Sequence, residues 1–197
     1  VTHLCFFDIP LICNIPNIVY LAPTSKEEYF AMLNWSMRQN EHPVAIRVPV
    51  NGVIASHNPV DSDYSDLNRY QINKKGSKVA IIALGSFYEL GEKMADVLHE
   101  RYGIDATLIN PRYISGIDSE MLDSLKHDHK LVITLEDGVL DGGFGEKITR
   151  FYGNSDMKVL NFGGKKEFVD RFDIDEFIRE NHLTAELIAE DVINALK

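Results

Sequence analysis

Lys78-Val79-Ala80-Ile81-Ile82-Ala83-Leu84-Gly85-Ser86 is the stretch that decides the fold of this 197-residue chain. Its six apolar residues, 79–84, run unbroken for the length of a strand and stop at a glycine–serine turn, the pattern of a strand covered on both faces. Three similar runs follow: 106–110, stopped by Pro111, then 131–136, then 158–162. Their starts, near 79, 106, 131 and 158, lie 25–27 residues apart, which leaves room for one crossover helix each. Leu90, Met94, Ala95 and Leu98 mark the first helix, ended by Gly103. Asp118 caps the second ahead of Met121, Leu122 and Leu125, and the third lies around 147–152. Right-handed crossovers then give a mostly parallel sheet between helices, a three-layer α/β/α domain over residues 78–197.

The end of the chain is helical. Asp173 with Glu176 three residues on reads as a cap. Thr184 caps the last helix, whose Ala185, Ile188, Ala189, Val192, Ile193 and Leu196 form one apolar stripe for the sheet or a partner subunit.

Upstream, residues 17–22 read as a short buried strand stopped by Pro23. Thr24-Ser25-Lys26-Glu27 reads as a capping box with Thr24 as the cap. The helix it opens carries Phe30, Leu33 and Met37 on one face, with Tyr29 and Trp35 widening that face or meeting a neighbouring domain. Val44, Ile46 and Val48 alternate with Ala45 and Arg47 as in a strand. This strand–helix–strand piece is too small for a core of its own. Residues 53–77, rich in turn formers and lysine, read as an interdomain linker with room for a little structure of its own.

The formal net charge of −10 argues against binding nucleic acid or an anionic membrane surface. No apolar run approaches the roughly 20 residues that span a bilayer. Cys5 and Cys13 make no disulfide framework and fit a reducing, cytoplasmic setting.

Few residues stand out for chemistry. Gly138-Val139-Leu140-Asp141-Gly142-Gly143-Phe144-Gly145 matches neither a P-loop nor a dinucleotide fingerprint. Its glycines read instead as permitting positive φ and close helix–sheet approach. Gly163-Gly164-Lys165-Lys166 reads as a turn. His127-Asp128-His129 lacks further ligands for a tetrahedral metal site and reads as a solvated turn. His42, His57, His99 and His182 read as surface histidines. There is no nucleophile elbow.

Several phrases, taken in order, carry a resemblance. They are Thr2-His3, Phe7-Asp8-Ile9, Ile15-Pro16-Asn17, Ala22-Pro23, His42-Pro43-Val44-Ala45-Ile46-Arg47-Val48-Pro49, Leu135-Glu136-Asp137-Gly138-Val139-Leu140, Gly142-Gly143-Phe144-Gly145, and Phe162-Gly163 followed by Glu167-Phe168-Val169. Together they resemble the thiamine-diphosphate enzymes of the transketolase superfamily, most nearly the 1-deoxy-D-xylulose-5-phosphate synthases. The resemblance implies that residues 1–52 are the end of a pyrimidine-binding domain, itself α/β, and that 78–197 are the transketolase C-terminal domain. It implies a homodimeric magnesium- and thiamine-diphosphate-dependent transferase of isoprenoid biosynthesis that condenses pyruvate with an aldose phosphate, glyceraldehyde 3-phosphate. On that reading the chain is the C-terminal third of the enzyme and is inert alone, because the diphosphate, Mg²⁺ and pyrimidine-activating residues lie upstream. No cofactor is then expected to bind residues 1–197 by themselves. His3 becomes the substrate-facing catalytic histidine, able to pass protons to a carbonyl or carbinol oxygen near neutrality. Asp8 becomes a residue that orders its turn or lines the substrate site.

Two positions depart from the family's wording. Cys5 stands where the synthases carry glycine, and Val50 stands where they carry an arginine for the substrate phosphate. A guanidinium–phosphate fork is a strong contact that valine does not supply. Two alternatives therefore accompany the synthase reading: a transketolase-like paralogue with another acceptor, and a non-catalytic assembly module.

Overall fold

The computed structural model describes residues 6–49, 52–167 and 174–197. In chain order the first elements are helix α1 (Asp8–Ile12), strand β1 (Val19–Leu21), helix α2 (Lys26–Arg38) and strand β2 (Val44–Ile46). Strands β1 and β2 pair in parallel, Val19 opposite Val44 and Leu21 opposite Ile46, as a two-stranded sheet. The second unit runs through β3 (Gln71–Lys74), β4 (Lys78–Ala83), α3 (Tyr88–Tyr102), β5 (Thr107–Asn110), α4 (Ser119–Leu125), β6 (His129–Val139), α5 (Phe144–Tyr152) and β7 (Lys158–Gly164). It ends in α6 (Ile174–Glu180) and α7 (Ala185–Leu196).

The five-stranded sheet has the order β3-β5-β4-β6-β7. Strands β5, β4, β6 and β7 are parallel, and β3 is antiparallel at one edge. Alternation along β4 shows the sheet covered on both sides. Val79, Ile81 and Ala83 point into one cluster with Met94 and Leu98 of α3 and Ile188 and Val192 of α7. Ala80, Ile82 and Leu84 point into the other, with Leu122 of α4 and Phe144 and Ile148 of α5. Each of the larger side chains among them, Val, Ile, Leu, Met or Phe, contributes roughly 1.5–3 kcal/mol by leaving water. The three-layer α/β/α arrangement is therefore the one the apolar runs predict. Gly103, at φ +63°, closes α3 in the left-handed conformation that a side chain disfavours.

The first unit completes its packing on the second. Ile9, Tyr20 and Ala22 lie in the same cluster as Ala80 and Phe144. A third cluster joins Val19, Leu21, Met32 and Trp35 to Tyr64 and Tyr113. The stretch read as a linker thus packs as a strap through Tyr64 and adds β3 to the main sheet.

Several local readings need correction. The cap of α2 is Ser25, whose hydroxyl accepts from the Glu28 N–H at 3.2 Å. Glu28 in turn accepts from the Thr24 N–H at 2.7 Å, so the capping box sits one residue later than Thr24–Glu27. The buried stripe of α2 is Glu28, Met32 and Trp35, whereas Phe30 and Met37 are 49% and 68% exposed. The reason is the strap: Tyr64 stacks edge-on to Trp35 and fixes which side of the helix faces inward. His129 is buried rather than solvated, with Nε2 2.8 Å from the Thr107 hydroxyl and Nδ1 3.2 Å from the Leu125 carbonyl. Asp118 and Thr184 cap α4 and α7 as read, and the α7 stripe packs within the molecule. The Asp173 cap lies outside the described residues.

These two faces of α2 make a direct prediction. Met32→Ala should lower the unfolding free energy by about 2–5 kcal/mol. Met37→Ala should stay within about 0.5 kcal/mol of the parent. Urea unfolding midpoints of the two variants check this; equal shifts would return the apolar face to Met37.

Candidate functional site

From β4 the chain passes to β5 on one side, then crosses back over β4 to reach β6 on the other. The order of strands reverses between β4 and β6, and in open α/β sheets the crevice at the carboxyl ends of such a pair is the usual ligand site. Here that crevice carries Ser86 just after β4 and Glu136 and Asp137 near the end of β6. The first unit closes over it. Ile9 of α1 is fully buried and sits against the bare backbone of Gly138. The Val139 N–H donates to the Phe6 carbonyl at 3.2 Å, and the Phe6 ring lies edge-on to Phe177 at 5.6 Å.

Arg47 sits at the centre. It follows β2, and its backbone N–H donates to the Leu21 carbonyl at 2.8 Å. Its Nε donates to Asp8 Oδ2 at 2.7 Å, and its Nη1 donates to Asp137 Oδ1. Its Nη2 reaches the Asp137 carbonyl at 3.3 Å. The Ser86 hydroxyl donates to Asp137 Oδ2 at 2.6 Å, and the Tyr20 hydroxyl donates to Asp8 Oδ2. All three charged side chains are mostly shielded from water. Burial works against the Arg47 cation, but Asp137 and Asp8 more than offset it and raise its pKa. Burial, with the bond to Asp8, also pushes the Tyr20 phenol up, so it remains a donor. A cleft of about 840 Å³ opens beside this cluster, with Arg47, Ser86, Asp137, Phe6, Tyr88 and Phe177 among its walls.

Glu136, next to Asp137, is fully buried. Its two oxygens accept from the Phe144 and Gly145 N–H groups, each at 2.8 Å. These amides open α5, so the chain's own carboxylate occupies the place where a helix N-terminus would bind an anion. The glycines serve that approach: a Cβ on Gly143 would come within 2.6 Å of a Glu136 oxygen, and one on Gly145 within 2.8 Å of Asn161. The glycine-rich turn therefore has a structural role, and it holds no free cradle for a diphosphate. Among the described residues no three His, Cys, Asp or Glu side chains gather as metal ligands.

A second junction lies at the end of β5. Glu28, buried on α2, accepts from Asn110 Nδ2 at 2.9 and 3.1 Å and from the Thr24 hydroxyl at 2.9 Å. Burial pushes its carboxyl up, and those donors and Arg112 pull it back. Arg112 donates twice to the Arg69 carbonyl, pairs with Asp61, and lies over the Tyr64 and Tyr113 rings at 5.8 and 6.0 Å.

Of the residues the sequence nominated, His3 lies outside the described residues. Asp8 is described, and both its oxygens face Arg47 while Oδ2 also faces Tyr20. The sequence reading missed Ser86, Tyr20 and the joint role of Arg47 and Asp137. Arg47 and Asp137 stand 90 residues apart, and no spacing rule connects them. The one available signal was the adjacent pair Glu136-Asp137 at the end of an apolar run. The Cys13 thiol, its pKa raised first by burial, offers a weak bond to the Ile114 carbonyl rather than a nucleophile.

The buried carboxyl carries a pH signature. Burial pushes Glu136 from its ordinary 4.5 up to about 7, with Asp137 adding to the rise and the two amides and Arg47 opposing it. Between those values the folded chain holds a proton that the unfolded chain has lost. Its contribution to stability is thus fully present below about 4.5 and is lost as pH rises to about 7. Unfolding free energies of the parent and Glu136→Gln, measured from pH 4.5 to 8, should differ by an amount that changes across this window. Glu28 contributes equally to both proteins and drops out of the difference. A pH-independent difference would refute the assignment.

Comparison with known proteins places this geometry. Residues 68–188 match the family model described as transketolase, C-terminal domain. Over 197 residues the chain is 34% identical to the 1-deoxy-D-xylulose-5-phosphate synthase of Clostridium tetani, covering 99% of this chain and 31% of that protein. It is 32% identical to the synthase of Clostridium acetobutylicum, covering 98% and 31%. The chain therefore spans under a third of the length of these curated relatives. Among solved structures it is similar to an inactive beta4 tetramer of a split-gene transketolase, with TM-score 0.78, 24% identity, and coverage of 99% of this chain and 62% of that one. A transketolase mutant from Pichia stipitis aligns with TM-score 0.73 at 16% identity, covering 98% and 27%. Those two likenesses speak to fold alone. With its family match reaching from just before β3 into α7, the chain belongs to the transketolase C-terminal domain family.

Proposed function

We propose that this chain forms part of a 1-deoxy-D-xylulose-5-phosphate synthase, which joins pyruvate to glyceraldehyde 3-phosphate with loss of carbon dioxide. The observation that carries this reading is the 34% identity to such a synthase, sustained over 99% of the chain. Residues 1–52 then serve as the end of the pyrimidine-binding domain and 78–197 as the C-terminal domain. Residues 53–77 join them, strapped down through Tyr64 and β3.

The enzyme is expected to work as a cytoplasmic homodimer with thiamine diphosphate and Mg²⁺, which supply the carbanion chemistry when bound. Their ligands are assigned to other parts of the enzyme, in keeping with the filled α5 N-terminus. This chain contributes His3 as the substrate-facing proton carrier. Asp8, engaged by Arg47 and Tyr20, is assigned to order the stretch that follows His3. The described residues of the crevice, Arg47, Ser86, Glu136 and Asp137, are assigned to charge balance and shape.

The decisive measurement is carbon dioxide release from pyruvate by the intact enzyme, with and without glyceraldehyde 3-phosphate. Release stimulated by that aldehyde is expected, and it would show that Val50 is tolerated. Release indifferent to the aldehyde would overturn the choice of acceptor. Calorimetric titration of residues 1–197 alone with thiamine diphosphate should show no binding; a micromolar dissociation constant would overturn the placement of the cofactor ligands elsewhere.

A further inference from the structure

The cleft beside Arg47 is unevenly charged. Arg47 is the one basic side chain among its described walls, and it is already paired with Asp8 and Asp137. Opposite charge comes from the start of α3, which brings Glu89 and Glu92 to the same cleft. Glu89 pairs with Lys93 at 2.8 Å. Glu92 forms no ion pair among the described residues. Burial pushes its carboxyl up, a bond from Asn58 opposes this, and Glu89 and Asp96 add to the rise.

Tyr88 is the second unpaired group. It is only 4% exposed and packs in the cluster with Met94 and Leu98, yet it lines the cleft. Its hydroxyl makes no hydrogen bond to any described residue and keeps contact with the cleft. Burial raises its pKa, and Glu92 and then Glu28 add to the rise, so the phenol is a neutral donor close to carboxylates. A phenol this buried normally finds a partner. Here that place is left to whatever enters the cleft.

The rest of the lining is largely apolar, with Phe6, Pro23, Ile54, Phe177 and Ile178 in it. Its volume of about 840 Å³ is that of a small-molecule site, and it lies where the strand order reverses. An anion entering it would meet Glu89, Glu92 and Asp137 with only a paired arginine to offset them. A cation gains from Glu92 and from the aromatic faces, and an apolar body gains from the remaining walls.

We propose that this cleft binds a small organic cation, an ammonium group carried on a flat apolar body, with Glu92 and Tyr88 holding the charged end. The walls come from the first unit, the strap, α3 and α6, so such a ligand bridges the first unit and the main sheet. The proposal goes beyond the synthase reading and does not depend on it.

The test is a calorimetric titration of the intact enzyme with tryptamine and, separately, with indole-3-propionate, which carries a carboxylate in place of the amine. Tryptamine should bind with a dissociation constant of about 1 mM or tighter, and indole-3-propionate at least about tenfold more weakly. Tyr88→Phe removes only the unpaired hydroxyl. It should weaken tryptamine about threefold to tenfold and leave the melting temperature of the unliganded enzyme nearly unchanged. Glu92→Gln, at an exposed position, should weaken tryptamine about twofold to fivefold and narrow its preference over indole-3-propionate. No tryptamine binding, equal affinity for the two indoles, or tryptamine binding that neither substitution alters would each overturn the proposal. None of these results bears on the synthase reading, which aldehyde-stimulated carbon dioxide release decides.

Discussion

One guanidinium shared between two carboxylates organises this chain. Arg47 belongs to the first unit, Asp8 to the helix that precedes it, and Asp137 to the main sheet. Removing one member of such a shielded set leaves the others uncompensated, which costs far more than the set contributes to stability. The charges therefore act less as glue than as a gauge that fixes how the two-stranded sheet sits over the carboxyl ends of β4 and β6. The Glu28–Asn110 junction does the same at β5 with a single carboxylate and an amide.

The rest of the crevice follows from a second constraint. A carboxylate in the position of Glu136 satisfies two of the orphan amides that every helix leaves at its start. It does so from inside the sheet, which demands that α5 begin almost on top of β6. Only bare backbone at Gly143 and Gly145 permits that approach. The glycine-rich run ahead of α5 is thereby explained by the chain's own carboxyl.

Much of the architecture could be read from residues alone. The main sheet announced itself because buried parallel strands are short apolar runs at even spacing, and 79–84 and 131–136 are both. The caps at Asp118 and Thr184 were equally plain. Helix α2 was harder for a definite reason. Thr24 and Ser25 each have a glutamate three residues on, so the sequence offers two registers for one capping box. The inward stripe begins with Glu28, a charge that any apolar count rejects. It is buried because Asn110, 82 residues away, donates to it. His129 was misread likewise, since its partner Thr107 lies on another strand. Local pattern reveals elements; the polar pairs that join them are settled by topology, and Arg47–Asp137 is of that kind.

The way the first unit is seated has a consequence in time as well as space. Its side chains Ile9, Tyr20 and Ala22 share a cluster with residues of the main sheet and of α4 and α5, and its central arginine pairs with a carboxylate 90 residues downstream. A ribosome adding roughly 5–20 residues per second needs on the order of ten seconds to cover that gap. During that interval the strand–helix–strand piece has been made but its contacts with β6 have not. The junction between the first unit and the main sheet is thus among the contacts that can close only once β6 has been made.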